Sequence, residues 1–172
     1  QQSLMYATTN DEIKQIVLDD GTIVWLNKQS ELTYPEVFDD TIRLVTLKGE
    51  AYFKVAKNRH KPFVINTQGS NTRVLGTAFN LRARNNDTCI TISVYEGKVL
   101  FSDVTNNVIL TPGEMGIIDK NRNTIAEFSH QNPNDTAWKS GILLFRKTPI
   151  RVVAQQLSEY YLTSVQVNAN VS

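Results

Sequence analysis

The side chains in this sequence that could carry metal or nucleophilic chemistry are two histidines, His60 and His130, and one cysteine, Cys89. A zinc or iron site needs several imidazole or thiolate ligands that converge, and these three residues do not form a plausible set. A serine or cysteine nucleophile needs an activating base, usually histidine. Because His60 lies in the charged stretch KNRHKP and His130 in a polar stretch, both are interpreted as solvated loop residues. We therefore expect no metal, no cofactor and no catalytic triad, with Cys89 as a half-buried strand residue.

Paired carboxylates are the one remaining route to enzymatic chemistry. Glycoside hydrolysis requires only two Asp or Glu residues at a suitable separation, and the candidates here are Glu50, Glu96 and Glu114. Each adjoins or nearly adjoins a glycine at a predicted bend, where a carboxylate is normally exposed. We interpret all three as turn residues, so the sequence predicts a protein that is not an enzyme.

The overall composition narrows the class of partner. The 172 residues carry 18 Lys and Arg against 17 Asp and Glu, a formal charge of +1. A chain with nearly equal numbers of positive and negative charges does not produce the strong positive potential that binding to nucleic acid or to an anionic membrane surface requires. The first residues include no initiator methionine and no signal-peptide pattern, and the longest apolar run is ILLF. We therefore expect a portion of a longer protein, with any membrane anchor outside it.

Residues 13 to about 128 read as short β-type runs separated by Gly, Asn and Asp, without helical periodicity. Asp20-Gly21 predicts a two-residue type I′ hairpin turn, and Pro112-Gly113 predicts a type II turn. Lys48-Gly49-Glu50 is a further turn candidate. The pattern predicts a mainly β fold, a rolled or sandwich-like antiparallel structure.

Gly76 interrupts the apparent strand RVLGTAFNLR, residues 73–82. A strand that narrows to small residues on one face usually lies beneath another strand or an aromatic ring. We expect Gly76 to serve such packing, with Trp25 or Tyr52 as the ring, rather than the approach of a ligand. In residues 90–94, ITISV, apolar and polar residues alternate, and Ile90, Ile92 and Val94 are predicted to face a core.

A different pattern follows the polar stretch SHQNPND. GILLF, residues 141–145, reads as a strand, and Thr148 and Pro149 can begin a helix of about thirteen residues. SVQVNA, residues 164–169, alternates like a second strand. The predicted organisation is an N-terminal extension 1–12, an all-β domain 13–128, a linker 129–137 and a partial strand-helix-strand α/β unit 138–172.

Five separated motifs resemble, in order and spacing, the periplasmic region of FecR-like anti-sigma factors. They are LDDGTIVWLNKQSELTYP, RLVTLKGEAYFKVAKNRHKPFVINT, TRVLGTAFNLRA, ISVYEGKVLFSD and ILTPGEMGIID. The match runs from about residue 13 to 120. The later stretch AWKSGILLFRKTPIRVVAQQLSEYYLTSVQV resembles the start of the short α/β domain related to the secretin and TonB-receptor N-terminal domain.

The resemblance implies a regulator held in the inner membrane of Gram-negative bacteria by one transmembrane helix. In this family a cytoplasmic segment, absent from the present sequence, holds an extracytoplasmic-function sigma factor. The periplasmic part receives a signal from the signalling domain of an outer-membrane TonB-dependent receptor. The usual context is uptake of iron complexes or glycans. The resemblance thus implies a periplasmic location, no nucleic-acid contact and no membrane contact except through the absent helix.

For the receptor contact we single out four residues of the C-terminal unit, Tyr160, Tyr161, Val165 and Val167. The hypothesis is that the receptor's signalling domain pairs with an exposed edge or face of the strand-helix-strand unit. Packing of these four side chains in a core is the alternative. Two other functions stay open: a carbohydrate-binding or glycan-cleaving β-sandwich, and a purely structural cell-envelope module.

Overall fold

The computed structural model of the protein describes residues 3–129 and 132–168. This part of the chain is mainly β, as the sequence predicts, with short helices only after the strands. The strands are β1 Leu4–Thr8, β2 Lys14–Val17, β3 Ile23–Leu26, β4 Glu31–Pro35, β5 Arg43–Lys54, β6 Phe63–Thr67, β7 Ser70–Val74, β8 Ala78–Ala83, β9 Cys89–Glu96, β10 Val99–Ser102, β11 Asn107–Leu110, β12 Glu114–Asp119 and β13 Thr124–Ser129. The helices are α1 Ala137–Ser140 and α2 Ile150–Tyr161.

The long strand β5 belongs to two layers of sheet. Its first half pairs with β4 and β6, and its second half pairs with β3 and β8. The first layer therefore runs β1-β4-β5-β6-β7-β10-β11, and the second layer runs β2-β3-β5-β8-β9-β12-β13. All strand pairs are antiparallel except β5 with β6, which is parallel. The rolled antiparallel architecture is confirmed, with that one exception.

The core lies between the two layers and is rich in aromatic rings. Phe53 of β5 stacks on Phe79 of β8 with ring centroids 5.3 Å apart, and it meets Phe63 of β6 at 6.2 Å. All three rings are fully buried. Because Phe63 belongs to the first layer and Phe79 to the second, Phe53 joins the layers through direct ring contact. The predicted inward face of residues 90–94 is also confirmed, since its three apolar side chains are at most 1% exposed.

The two turns that the sequence predicted most clearly have different outcomes. Pro112-Gly113 forms the predicted type II turn, with Gly113 at φ +87° and the Glu114 N–H donating to the Thr111 carbonyl at 3.0 Å. The type I′ prediction at Asp20-Gly21 is wrong, because the Leu18 N–H bonds the Thr22 carbonyl at 2.9 Å and closes a three-residue loop. The Asp20 carboxylate favours this longer loop by accepting both the N–H and the hydroxyl of Thr22.

The predicted turn at Lys48-Gly49-Glu50 is wrong, because these residues lie inside β5. Gly49 has φ +104°, and a Cβ added there would lie 2.8 Å from the Ser30 Cα. Glycine tolerates both the backbone angle and the close approach. Gly49 thus bends β5 where the strand passes from the first layer to the second, as strands that change sheets do.

Gly76 lies in a bend between β7 and β8, so residues 73–82 are not one strand. A Cβ at Gly76 would come within 2.7 Å of the Lys57 Cα, because the 55–58 segment crosses over this bend. The packing role predicted for Gly76 is confirmed. Its partner is the Lys57 backbone, however, and not the ring of Trp25 or Tyr52.

The chain divides into two compact units, residues 1–131 and 132–172. Residues 4–8, predicted as part of an extension, form β1 in the first unit. In the second unit the predicted helix is present as α2, but Pro149 rather than Thr148 is its N-cap. The predicted strands at 141–145 and 164–169 are wrong for the described residues, which form no strand there. A strand needs a hydrogen-bonded neighbour, and within residues 3–129 and 132–168 neither segment takes part in a strand pair.

Candidate functional site

Helix α2 organises the part of the chain that contains the four predicted contact residues. Pro149, with φ −55°, enters the helix in a suitable conformation, and Ala154 provides its buried position. Leu162 ends the helix in the left-handed conformation, where the Thr163 N–H donates to the Ser158 carbonyl at 3.1 Å. The chain therefore reverses direction directly after Tyr161.

Ser158 fixes the segment that follows this reversal. Its hydroxyl donates to the Ala154 carbonyl at 2.8 Å and accepts the Val165 N–H at 2.9 Å. One side chain thus holds residues 164–168, which form no regular secondary structure, against the helix at Val165. This contact replaces the strand pairing that the sequence predicted there.

A groove of about 410 Å³ lies between α2 and residues 165–168. Val165 is 36% exposed and Val167 is half-buried. The residues that line the groove are Ile150, Arg151, Ala154, Gln155, Val165, Val167 and Asn168. The groove is therefore partly apolar, accessible and lined by a single charged side chain.

The two tyrosines form a separate feature. Tyr160 and Tyr161 meet edge to face with ring centroids 4.8 Å apart, and Tyr161 is 62% exposed. Neither tyrosine lines the groove. The structure thus brings Val165 and Val167 together in one groove and places the tyrosines outside it.

Sequence reasoning missed the helix side of this groove. Ile150 and Ala154 line it, and Ser158 positions the opposite wall. These three residues follow an i, i+4, i+8 spacing, which places them on one stripe of a helix. That spacing was visible in the sequence, but the return of residues 164–168 beside the stripe was not.

Glu50 was a candidate carboxylate, and its predicted exposure is wrong. It is 6% exposed inside the first unit. Its Oε2 accepts from Asn27 Nδ2 at 2.9 Å and from Arg84 Nη2 at 3.3 Å, and its Oε1 accepts from Asn80 Nδ2 at 3.0 Å. A carboxylate held by three donors, one from the residue after β3 and two from residues 80–84, stabilises the junction between the two layers.

The other candidate carboxylates behave as turn or surface residues. Glu114 Oε2 accepts the N–H of Thr111 at 2.6 Å and its hydroxyl at 3.0 Å, which fixes the Pro112-Gly113 turn. Glu96 is exposed. The turn interpretation is therefore confirmed for Glu114.

A polar pocket of about 440 Å³ lies above the junction at Glu50 and includes Glu31 and Asp87 in its lining. Glu31 is paired with Lys48 at 3.0 Å, and Asp87 is paired with Arg82 at 2.7 Å. Both acids of this pocket are therefore engaged in ion pairs with neighbouring cations.

The remaining chemical predictions concern metals, thiols and histidines. Within residues 3–129 and 132–168 no three His, Cys, Asp or Glu side chains are grouped so that they could hold a metal ion. Cys89 is a half-buried free cysteine at the start of β9, as predicted. His60 is exposed, also as predicted, whereas His130 lies outside the described residues. No helix among those described is both long and apolar enough to cross a bilayer.

The rolled β unit and the accessible groove beside α2 are typical of a protein that acts by binding, and Glu31, Glu50, Asp87 and Glu114 are each engaged in hydrogen bonds or ion pairs. The family model described as FecR protein matches residues 5–100, and the chain belongs to the FecR family. This family of anti-sigma factors is regulatory and non-enzymatic, and the match corresponds to its periplasmic region.

Two solved structures support this assignment, both of a proposed anti-sigma factor from Parabacteroides distasonis ATCC 8503. One, at 2.50 Å resolution, is 35% identical, covers 93% of this chain and 76% of its own, and superposes with a TM-score of 0.81. The other, at 1.65 Å resolution, is 34% identical, covers 98% of this chain and 80% of its own, and has the same TM-score. No protein with a curated function matches the chain.

Proposed function

We propose that this chain is the signal-receiving region of an anti-sigma factor anchored in the inner membrane by a single helix. It receives a signal from the signalling domain of an outer-membrane TonB-dependent receptor. It passes that signal to an extracytoplasmic-function sigma factor through a cytoplasmic segment. The observation that carries the proposal is FecR-family membership, together with the two anti-sigma structures whose likeness extends over both units.

The groove beside α2 favours residues 150–168 as the part of the chain that contacts the receptor. It offers Val165 and Val167 on one wall and Ile150 on the other, and both Val165 and Ile150 are exposed. Apolar side chains at the centre of an interface contribute most when the partner removes them from water. We therefore place a side chain or strand of the receptor's signalling domain in this groove, with Tyr161 at its periphery.

The backbone of residues 164–168 offers a second mode of contact. This segment has no regular secondary structure and is not paired with any strand of the described residues, and we place it in an extended conformation when the receptor is bound. An extended segment can add to the sheet edge of a partner through main-chain hydrogen bonds. From the sequence alone, the receptor is expected to pair with an edge or face of the strand-helix-strand unit. We now propose that residues 164–168 pair with an edge of the receptor's own sheet.

The proposal is tested by titrating the chain with the receptor's signalling domain in a calorimeter. Val165→Lys places a charge in the groove, and we expect it to weaken binding about tenfold or more, which is the effect of losing one buried valine. Val152→Lys is the matched control, since Val152 lies on α2 and is 39% exposed, close to the exposure of Val165, but does not line the groove. Equal affinities for both variants and the unmodified chain would remove the groove from the interface. A complete lack of binding to any receptor signalling domain encoded beside the protein would refute the proposed partner.

A further inference from the structure

Within the described residues four strands lie at the edges of the two layers, and their free edges differ in protection. The first layer ends at β1 and β11, and the second ends at β2 and β13. The strands β11 and β13 lie close to each other, and β2 begins with the charged residue Lys14. The strand β1 has the sequence LMYAT, without the charge or proline with which proteins normally protect an exposed edge. β1 is therefore the edge at which another strand can pair most readily.

The hydrogen bonds at the two ends of β1 show which of its backbone groups face β4. The Ser3 carbonyl accepts the Glu36 N–H at 3.0 Å, and the Thr9 N–H donates to the Ser30 carbonyl at 2.9 Å. Both contacts follow the register of the β1–β4 pair, in which bonded and non-bonded positions alternate. The odd-numbered positions of β1 therefore bond β4, and the even-numbered positions direct their N–H and C=O groups out of the edge. These outward positions are Leu4, Tyr6 and Thr8.

The side chains of β1 are also exposed at this edge. Tyr6 is 66% exposed, and Leu4 and Met5 are exposed as well. Because side chains alternate across a strand, Leu4 and Tyr6 lie on the outer face, whereas Met5 shares a face with Ala7, which is buried in the core. Three successive large apolar side chains thus meet water beside backbone groups that no strand of the described residues pairs. Soluble proteins seldom leave such a combination uncovered.

This edge matches a second copy of itself. If a twofold axis passes at Tyr6, then Tyr6 lies opposite Tyr6 of the second copy, and Leu4 lies opposite its Thr8. Each of these pairs joins residues whose backbone groups point outward, so each pair forms two hydrogen bonds. Every outward N–H and C=O of β1 then has a partner, whereas a shift of register by two residues leaves one outward residue of each β1 unpaired. Because β1 carries no charge, the pairing places no like charges opposite each other.

We infer that the chain forms a symmetric dimer in which β1 pairs antiparallel with β1 of a second copy. The first layers of the two copies become one continuous sheet. The Tyr6 rings meet across the axis on the outer face, and Met5 of each copy lies beside Ala7 of the other on the core face. Because the pairing uses the free edge of both copies, assembly stops at two chains.

The size of the contact sets the strength of this dimer. One short strand buries less than the about 1,000 Å² of a stable interface, so the dimer is weak, with a Kd in the micromolar range or above. The inference is independent of the receptor contact proposed for the α2 groove, because β1 and the groove share no residue.

The first test is analytical ultracentrifugation of the whole chain between about 5 μM and about 1 mM. We expect the average mass to rise from that of one chain toward twice that value. Tyr6→Pro removes the N–H at the axis but no bond to β4, because that N–H points outward, and it should weaken association about tenfold or more.

Val17→Pro is the matched control and should associate like the unmodified chain. Val17 is 64% exposed, close to the exposure of Tyr6. Its N–H points out of the β2 edge, since the neighbouring Leu18 N–H bonds the Thr22 carbonyl in the register of the β2–β3 pair. The two variants therefore place the same residue at equivalent positions on different edges of the roll.

A pair of charge variants tests the position of the axis. In Tyr6→Lys and in Tyr6→Glu two like charges lie opposite each other across the axis, so neither variant should associate alone. An equimolar mixture of the two should associate again, because opposite charges then face each other. Mixing does not repair a folding defect, so this result separates pairing at Tyr6 from loss of structure.

The inference would be overturned by the mass of a single chain at every concentration up to about 1 mM. Association that Tyr6→Pro leaves unchanged, or that Val17→Pro weakens equally, would also overturn it, as would a mixture of the two charge variants that stays monomeric. If the chain alone is monomeric and Tyr6→Pro abolishes binding of the receptor's signalling domain, the occupant of this edge is a strand of the receptor and not a second copy.

Discussion

Glu50 illustrates how a charged residue can become part of the structural core. Its carboxylate accepts hydrogen bonds from Asn27, which follows β3, and from Asn80 and Arg84, in and directly after β8. Arg84 also donates to the Lys28 carbonyl at 3.1 Å, which extends the network. A buried carboxylate is tolerated only when its partners are complete, because an unpaired buried charge is costly. The network therefore holds β5, β8 and the residues after β3 in one fixed arrangement where the two layers meet.

Removal of the Glu50 side chain should destabilise the protein strongly. We expect Glu50→Ala to lower the free energy of unfolding by about 3 to 5 kcal/mol, because Arg84 and the two amides lose their common acceptor. The measurement is urea unfolding followed by circular dichroism. Glu36→Ala, at an exposed position, should change the free energy by less than about 0.5 kcal/mol. Similar losses for the two variants would mean that the buried network contributes little.

At the scale of secondary-structure elements, the sequence predicted those features that depend on residues close together in the chain. Alternation identified the buried face of β9, and helical periodicity with a proline identified α2. The pattern could not show that Gly49 lies inside a strand. The strand β5 bends at Gly49 where Ser30, from a distant part of the sequence, packs closely against it. The pattern also could not show that residues 141–145 remain unpaired, because pairing depends on a strand that must arrive from elsewhere. The groove was missed for the same reason. One of its walls is formed by the residues after α2, which fold back along the helix and are held there by the hydrogen bond from Val165 to Ser158.

The β10–β11 hairpin should respond to acid through its turn. The Asp103 carboxylate accepts the N–H groups of Asn106 and Thr105, and these bonds hold the pKa of Asp103 below its ordinary value. A lowered pKa in the folded state means that this contribution to stability is present above the unfolded pKa. It is lost as the pH falls through the folded pKa.

The replacement Asp103→Asn isolates this contribution. We expect it to lower the melting temperature slightly at about pH 7, where the charged carboxylate is the better acceptor. The difference from the unmodified protein should shrink as the pH falls from neutral through the lowered pKa of Asp103, where the carboxylate itself takes up a proton. Differential scanning calorimetry across this range provides the measurement. A difference that is constant with pH would show that the turn does not depend on the charge of Asp103.

At the scale of the whole molecule, the arrangement of charge matters more than its sum. The formal charge is +1, and many cations lie beside acids. Ion pairs in the described residues include Arg43–Asp20, Lys48–Glu31, Arg82–Asp87, Arg84–Glu50 and Arg122–Asp119. Positive potential is thus cancelled locally, and no continuous basic stripe is expected to track a phosphate backbone. This agrees with regulation through protein contact.

The chain should accordingly fail to bind nucleic acid at physiological salt, although it belongs to a family that regulates transcription. We expect no change in the fluorescence anisotropy of a labelled DNA duplex as the protein is added to micromolar concentration, because too few phosphates can be neutralised to release counterions. The double variant Glu31→Lys with Asp87→Lys is a useful comparison. Each replacement changes the charge by two units and together they raise the formal charge from +1 to +5, with Lys48 and Arg82 left unpaired beside them. Weak, salt-sensitive binding by this variant alone would show that local pairing keeps the natural surface inert toward DNA. Salt-sensitive binding by the unmodified chain would instead reveal a basic surface that these ion pairs do not neutralise.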